Sequence, residues 1–141
     1  MRVLVLPVER GWYAVPMDSV DEVIARPEVA LIPTAPSSLL GVFNLRGEIV
    51  PLFDTAALLE TGSTKTGSHI VVIRSTLGRG GLLIHHAPES AELEEPVARA
   101  KHRAGVAVYG VGERLVTLLD LPELLGTKGA AGAFDFGRNS R

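Results

Sequence analysis

Gly41-Val-Phe-Asn-Leu-Arg-Gly-Glu-Ile-Val-Pro-Leu-Phe-Asp54 is the stretch on which the reading of this 141-residue chain turns. Two apolar runs flank Arg46-Gly47, so the segment reads as strand, tight turn, strand, with Gly47 as the turn glycine. Asp54 then caps one or two helical turns over Thr55-Ala-Ala-Leu-Leu59. A hairpin needs its glycine, but it needs neither an arginine beside it nor Asn44 two residues before that arginine. An exposed arginine at a loop tip is the plain reading. Asn44, Arg46 and Gly47 are nevertheless the first candidates for function.

Working outward, the same grammar recurs. Val3-Leu-Val-Leu6 and Trp12-Tyr-Ala-Val15 flank Glu9-Arg10-Gly11, another hairpin. Val20, Val23 and Ile24 surround Asp21-Glu22 and are read as a short strand. Pro33 and Pro36 make the following residues an extended surface connection. Glu60 to Ser68 is small, polar and glycine-bearing, and reads as a flexible linker. Beyond it, Ile70-Val-Val-Ile73 and Leu82-Leu-Ile84 are strands around the turn Leu77-Gly-Arg-Gly-Gly81. Pro88 to Leu93 is a loop-and-edge segment, and Glu94 to Arg103 is a charged stretch. Gly105-Val-Ala-Val-Tyr109 and Arg114-Leu-Val-Thr-Leu-Leu119 form a hairpin turning at Gly112-Glu113, and Asp120 opens the helix Leu121-Pro-Glu-Leu-Leu125.

The second half therefore repeats the first. Glu48-Ile-Val-Pro-Leu-Phe-Asp54 overlays Arg114-Leu-Val-Thr-Leu-Leu-Asp120, and Leu58-Leu59 overlays Leu124-Leu125, at one constant offset. Val3 to Leu6 overlays Ile70 to Ile73 with a small drift. Two copies of a hairpin-rich unit, each about the size of a small barrel, imply duplicated halves that share a core, with the groove between them as the natural ligand site. Barrel closure would remove the aggregation-prone strand edges.

Composition sets the outer bounds. Hydrophobic residues make up 46% of the chain and aromatics only 5%, so Val, Leu, Ile and Ala must build the interior. The formal net charge of -2 resembles neither a nucleic-acid binder nor a polybasic membrane anchor. The opening Met1-Arg2-Val3-Leu4-Val5-Leu6-Pro7 is too short for a signal-peptide core, and no apolar run approaches the roughly 20 residues of a membrane span. Cysteine is absent, which leans toward a cytoplasmic address.

Catalytic and metal-binding patterns are not found. The serines lie in turn-like stretches without a strand-turn-helix elbow. His85 and His86 are neighbours on a strand and so point to opposite faces, away from any shared metal. Gly78-Arg-Gly-Gly81 lacks the Gly-Lys-Ser/Thr ending of a phosphate loop and sits between two strands. The carboxylates Glu89, Glu92, Glu94 and Glu95 fit no calcium-loop spacing, and Arg99, Lys101 and Arg103 follow close enough to neutralise them.

The 41–54 segment resembles the signature of the CheW-like family of chemotaxis coupling proteins, in which Gly-Val-x-Asn-Leu-Arg-Gly-x-Val-Val-Pro-Val-x-Asp recurs. Glu9-Arg-Gly-Trp-Tyr-Ala-Val-Pro-Met-Asp-Ser-Val-Asp-Glu-Val23 is similar to the family's opening. The connection from Pro33 to Leu40 and the closing Gly112-Glu-Arg-Leu-Val-Thr-Leu-Leu-Asp-Leu-Pro-Glu-Leu-Leu125 also look like family elements. The resemblance implies an all-β fold of two small five-stranded, SH3-like barrels packed around a groove, with short helices after the hairpins. It implies one domain over residues 1–125 made of two intertwined halves, with the polar 60–68 stretch as their boundary. The tail over 126–141, rich in Gly, Ala and polar residues with an isolated Phe134 and Phe136, is expected to be flexible unless it docks on a neighbour.

The implied function is a non-enzymatic adaptor without metal or cofactor, joining the cytoplasmic tip of a chemoreceptor to a CheA-type histidine kinase. By the same resemblance Glu22 and Arg46 face each other at the surface and take part in partner binding, as an orienting pair that adds little stability. Val20 matches a position in the apolar groove where the receptor's helical tip docks. Asn44 and Gly47, from the same motif, complete the expected partner-binding set. The chain departs from the family pattern at Ile84-His-His-Ala-Pro88 and between Glu89 and Gly105, which puts the second half's partner surface in question.

Three other readings stay open at this point. One is a divergent scaffold of this family serving another pathway, such as surface motility. Another is a free-standing barrel binding single-stranded nucleic acid or an oligosaccharide, for which seven aromatic residues offer little. The last is a small hydrolase using the histidines.

Overall fold

The computed structural model describes residues 1–32, 35–126 and 131–135. Among these described residues, twelve strands and two short α-helices follow one another along the chain. The first group is β1 (Arg2–Val8), β2 (Gly11–Pro16), β3 (Val20–Ala25), β4 (Ala30–Leu31), β5 (Leu39–Leu45), β6 (Glu48–Asp54) and α1 (Thr55–Leu58). The second is β7 (His69–Ser75), β8 (Gly78–Ile84), β9 (Glu89–Glu92), β10 (Pro96–Ala98), β11 (Gly105–Val111), β12 (Arg114–Leu119) and α2 (Leu121–Leu125).

The two groups are the two sequence copies, but the sheets are not. One sheet runs β10-β11-β12-β2-β1-β9 and the other β3-β7-β8-β6-β5-β4. Each sheet therefore takes its first hairpin from one copy and its other four strands from the other copy. The β1–β2 hairpin is held by β9 on one side and, in parallel, by β12 on the other. The β7–β8 hairpin is held in the same way by β3 and β6. This exchange of hairpins makes the halves inseparable. A cut in the linker would sever the sequence copies but leave strands of each copy in both sheets.

The all-β class is as expected, with six strands in each sheet rather than five. The additional ribbons are short and lie at sheet ends, β4 with two residues and β10 with three, all of them exposed. Exposed end strands carry little apolar patterning, which is why β10 reads in the sequence as part of a charged stretch.

Strand alternation sorts the side chains into three apolar clusters. Phe43, Leu45, Val50, Leu52, Ile70, Val72 and Leu83 fill the interior of the β3–β8 sheet. Val3, Val5, Ala14, Leu93, Val116 and Leu118 fill the interior of the other. Between the sheets lies the largest cluster, with Leu4, Leu6, Val8 and Val15 from the first hairpin meeting Phe53, Val71, Ile73, Leu82, Ile84, Leu119 and both short helices. The swapped hairpins thus bury both faces: Val3 and Val5 point one way, Leu4 and Leu6 the other. That is why they read as unbroken apolar runs.

The stretch from Glu60 to Ser68 is not a loose tether. Asp54, buried at the end of β6, caps α1 by accepting the Ala57 N–H at 3.1 Å. The same carboxylate accepts the Ser63 hydroxyl at 2.6 Å, the Thr64 N–H at 2.7 Å and the Thr64 hydroxyl at 2.8 Å. Thr64 is fully buried, and Arg26 clasps the far end of the loop by donating to the Lys65 carbonyl at 2.7 Å. Thr64 here is buried and fully hydrogen-bonded, and Ser63 is tied to the same carboxylate. Burial pushes the Asp54 carboxyl up, but its four hydrogen bonds outweigh that and hold its pKa below the ordinary value of 3.8.

Of the tail expected to be loose, residues 127–130 and 136–141 lie outside the described residues. Residues 131–135 form one 3-10 turn. Ala133 is buried in the central cluster, and the Phe134 ring lies 5.6 Å from that of Phe53.

Candidate functional site

Five residues were expected to serve partner binding, and four of them meet at one end of the β3–β8 sheet. β5 and β6 are joined by the two-residue loop Arg46-Gly47, with φ of 49° and 92°. Two positive φ values mark the hairpin turn whose twist matches that of the strands. Gly47 adopts its conformation freely, and a Cβ there would meet nothing within 4 Å; the glycine answers the backbone angle alone. Asn44 accepts the Gly47 N–H at 2.8 Å through Oδ1 and so closes the turn with a side chain. Leu45, buried in the apolar cluster of this sheet, anchors the strand beneath it.

The turn holds Arg46 outward, its side chain 68% exposed, and its guanidinium reaches across the sheet to β3. Nη1 donates to Glu22 Oε1 at 3.0 Å and Nη2 donates to Oε2, a two-pronged grip. The Arg46 hydrogen bond holds the Glu22 carboxyl below its usual range; desolvation opposes this and the charges of Arg46 and Arg79 add to it. Glu22 raises the Arg46 pKa in turn, chiefly by the same hydrogen bond. Both groups are charged at any physiological pH, so the surface carries a planar, solvent-exposed ion pair here.

Sequence reasoning missed the charges around this pair. The β3–β7 register slips between Val20 and Glu22, leaving Asp21 as the extra residue. Asp21 Oδ1 lies 2.5 Å from Arg74 Nε, and Oδ2 lies 2.9 Å from Arg79 Nε. Arg79 in turn donates through Nη1 to Glu48 Oε2 at 2.9 Å. Three carboxylates and three guanidinium groups thus alternate across β3, β7, β8 and the β5–β6 hairpin. Glu48 lies within the signature stretch, but Arg74 and Arg79 come from the other copy. Only the swapped hairpin brings them here, and no local pattern announces that.

Val20 stands apart from the charges. It pairs with Ile73 and packs, half-buried, on the central cluster. Met17, Ile32, Ala35 and Leu77 pack on the same cluster and are likewise half-buried. Together these side chains form an apolar rim on the central cluster. The histidines play no part in either feature: the His85 and His86 rings are 6.3 Å apart and tilted by 53°.

Among the described residues, twelve strands in two hairpin-swapped sheets with a displayed Arg–Glu pair define a small all-β domain. Comparison with known proteins gives the family. The CheW-like domain matches residues 2–129, and the chain belongs to that family. It is 28% identical over 122 residues to the chemotaxis protein CheW of Helicobacter pylori, covering 80% of this chain and 74% of that protein. It is 29% identical over 129 residues to protein FrzA of Myxococcus xanthus, covering 80% and 78%. The scaffolding protein TtCheW of Thermoanaerobacter tengcongensis shares the fold, with a TM-score of 0.78 at 20% identity over 91% of this chain and 89% of that one. Among the described residues no helix is long and apolar enough to cross a membrane.

Proposed function

We propose that this chain is a non-enzymatic, cytoplasmic adaptor that couples the cytoplasmic tip of a chemoreceptor to a CheA-type histidine kinase. Its work is geometric: it holds two partners in fixed relation, and the double-faced packing of the swapped hairpins supplies the rigidity. The observation that carries the reading is the Arg46–Glu22 grip, set on the family's own signature turn and open to solvent.

Glu22, Arg46, Asn44 and Gly47 form the polar contact of the proposed partner surface, and Val20 belongs to its apolar side. Exposed charge pairs fix orientation and association rate more than they add affinity. Among the described residues every aromatic side chain is at least half-buried, and the Trp12 face is covered by the Arg114 guanidinium at 4.2 Å. A base-stacking platform needs open aromatic faces, so the protein-binding reading is favoured over a nucleic-acid one.

The test is a binding titration with the kinase and receptor fragments encoded by the same genome. Arg46→Glu should weaken at least one interaction by tenfold or more with the circular dichroism spectrum unchanged. Arg46→Lys, which keeps charge but loses the fork, should fall between. Wild-type affinity in both variants would remove the pair from the surface.

A further inference from the structure

The glycines of Gly78-Arg-Gly-Gly81 do more than turn the chain. A Cβ on Gly78 would lie 3.1 Å from Phe134 Cδ1, and one on Gly80 would lie 3.4 Å from Phe134 Cε1 and 3.2 Å from Phe53 Cε2. The missing side chains leave a shallow seat floored by Phe53, and the Phe134 ring fills it. The seat is specific to the second copy. In the first, Tyr13 stands opposite Leu6 as Gly80 stands opposite Ile73, and Leu6 overlays Ile73 in the repeat. Tyr13 packs its own ring on the central cluster, whereas the second copy has given up the ring and receives one from residues beyond the family match at 2–129.

The seat adjoins the apolar rim. Val20 pairs with Ile73, and Ile73 pairs with Gly80, so the three form one cross-strand row. Directly paired residues share a sheet face, and two strand spacings place Val20 about 10 Å from Gly80. A helix, with its diameter of about 10 Å, laid on Val20 would reach the Phe134 ring.

We infer that Gly78, Gly80 and Phe53 form a seat for an aromatic side chain, that Phe134 is its built-in occupant, and that the C-terminal turn competes there with the apolar helical tip of the receptor. The competition rests on the adaptor reading; the seat does not. A turn docked nine-tenths of the time reduces a competitor's apparent affinity about tenfold.

The experiment uses the full chain, its Phe134→Ala variant, and a recombinant helical hairpin spanning the cytoplasmic tip of a chemoreceptor from the same genome. Without the hairpin, Phe134→Ala should shift the amide resonances of Gly78 and Gly80 and leave those of Arg46 and Gly47 in place. Phe134→Tyr should restore them. With the hairpin, Phe134→Ala should bind up to about tenfold more tightly than wild type. Unmoved Gly78 and Gly80 resonances would overturn the seat. Measurable wild-type binding that Phe134→Ala leaves equal or weaker would overturn the competition. Hairpin binding absent from every variant would overturn the adaptor reading and the competition together, with the seat still decided by the resonances alone.

Discussion

Arg46 grips Glu22 with both terminal nitrogens from a backbone position, φ 49°, that a non-glycine side chain rarely takes. Asparagine and glycine suit that angle better. The arginine therefore stands where local conformation would choose another residue, and residues so placed tend to be kept for what they touch.

Arg46→Asn should separate the two demands. The turn is relieved and an exposed ion pair is lost, and exposed pairs contribute little to folding. The melting temperature should hold within about 3 °C of wild type or rise. Partner affinity should fall as steeply as for Arg46→Glu, and the Glu22 pKa should climb toward its ordinary value by NMR titration. A clear loss of thermal stability would show instead that the pair helps hold the fold.

How much of this was open to sequence reading depends on whether the signal was local. The β5–β6 hairpin and the two Asp-capped helices are local, each written in consecutive residues, and the repeat shows when one half is overlaid on the other; all are found. The hairpin exchange is not local: β1 would pair with β2 under almost any topology, and nothing within it names β9 or β12 as neighbours. The six-charge network inherits that blindness, since Arg74 and Arg79 reach Asp21 only through the exchange. Thr64 misled by composition, because a buried threonine satisfied by a carboxylate has the same letters as a mobile linker.

Asp54 and Asp120 occupy matching places in the two copies yet should differ in weight. Asp120 caps α2 through the Glu123 N–H at 3.1 Å, and Asp120→Ala should cost about 1 kcal/mol. Asp54→Ala strands the buried Thr64 N–H and hydroxyl and the part-buried Ala57 N–H and should cost about 3 kcal/mol. Urea denaturation of the two variants reads the difference directly. Equal losses would mean that the 60–68 loop does not depend on Asp54.

The same carboxylate should shape the acid limb of the stability curve. Its folded pKa lies below the unfolded value of 3.8, so its contribution is whole above that pH and is lost as pH falls through the folded pKa. Asp54→Asn should be less stable than wild type at pH 7 and show a shallower decline below about pH 4. A decline parallel to wild type would place the acid sensitivity in other carboxylates.

Gly81 tests the packing asymmetry of the copies. A Cβ there would come within 2.8 Å of both Ile70 Cγ2 and Phe43 Cε1. Its counterpart in the first copy is Ala14, fully buried. Gly81→Ala should cost roughly 1–3 kcal/mol through overpacking against Phe43. The double variant Gly81→Ala with Phe43→Leu should recover part of that loss, and additive losses would mean that Phe43 is not what Gly81 accommodates.

Asp21 should matter to recognition without touching Arg46. It holds Arg74 and Arg79, and Arg79 already contributes to the low Glu22 pKa. With Asp21→Ala, the Arg79 guanidinium keeps Glu48 and gains Glu22 as its nearest remaining counter-charge, so Glu22 becomes shared between two arginines. The fork of Arg46 loses its single partner and its fixed pose. Partner affinity should fall several-fold, and adding Arg46→Ala to Asp21→Ala should lower it by less than the product of the separate effects, because residues in one ion-pair network do not act independently. Arg79→Ala, which removes the competing guanidinium, should restore most of the affinity in the Asp21→Ala background. Multiplicative effects of Asp21→Ala and Arg46→Ala would reduce Asp21 to a bulge residue with no hand in the site.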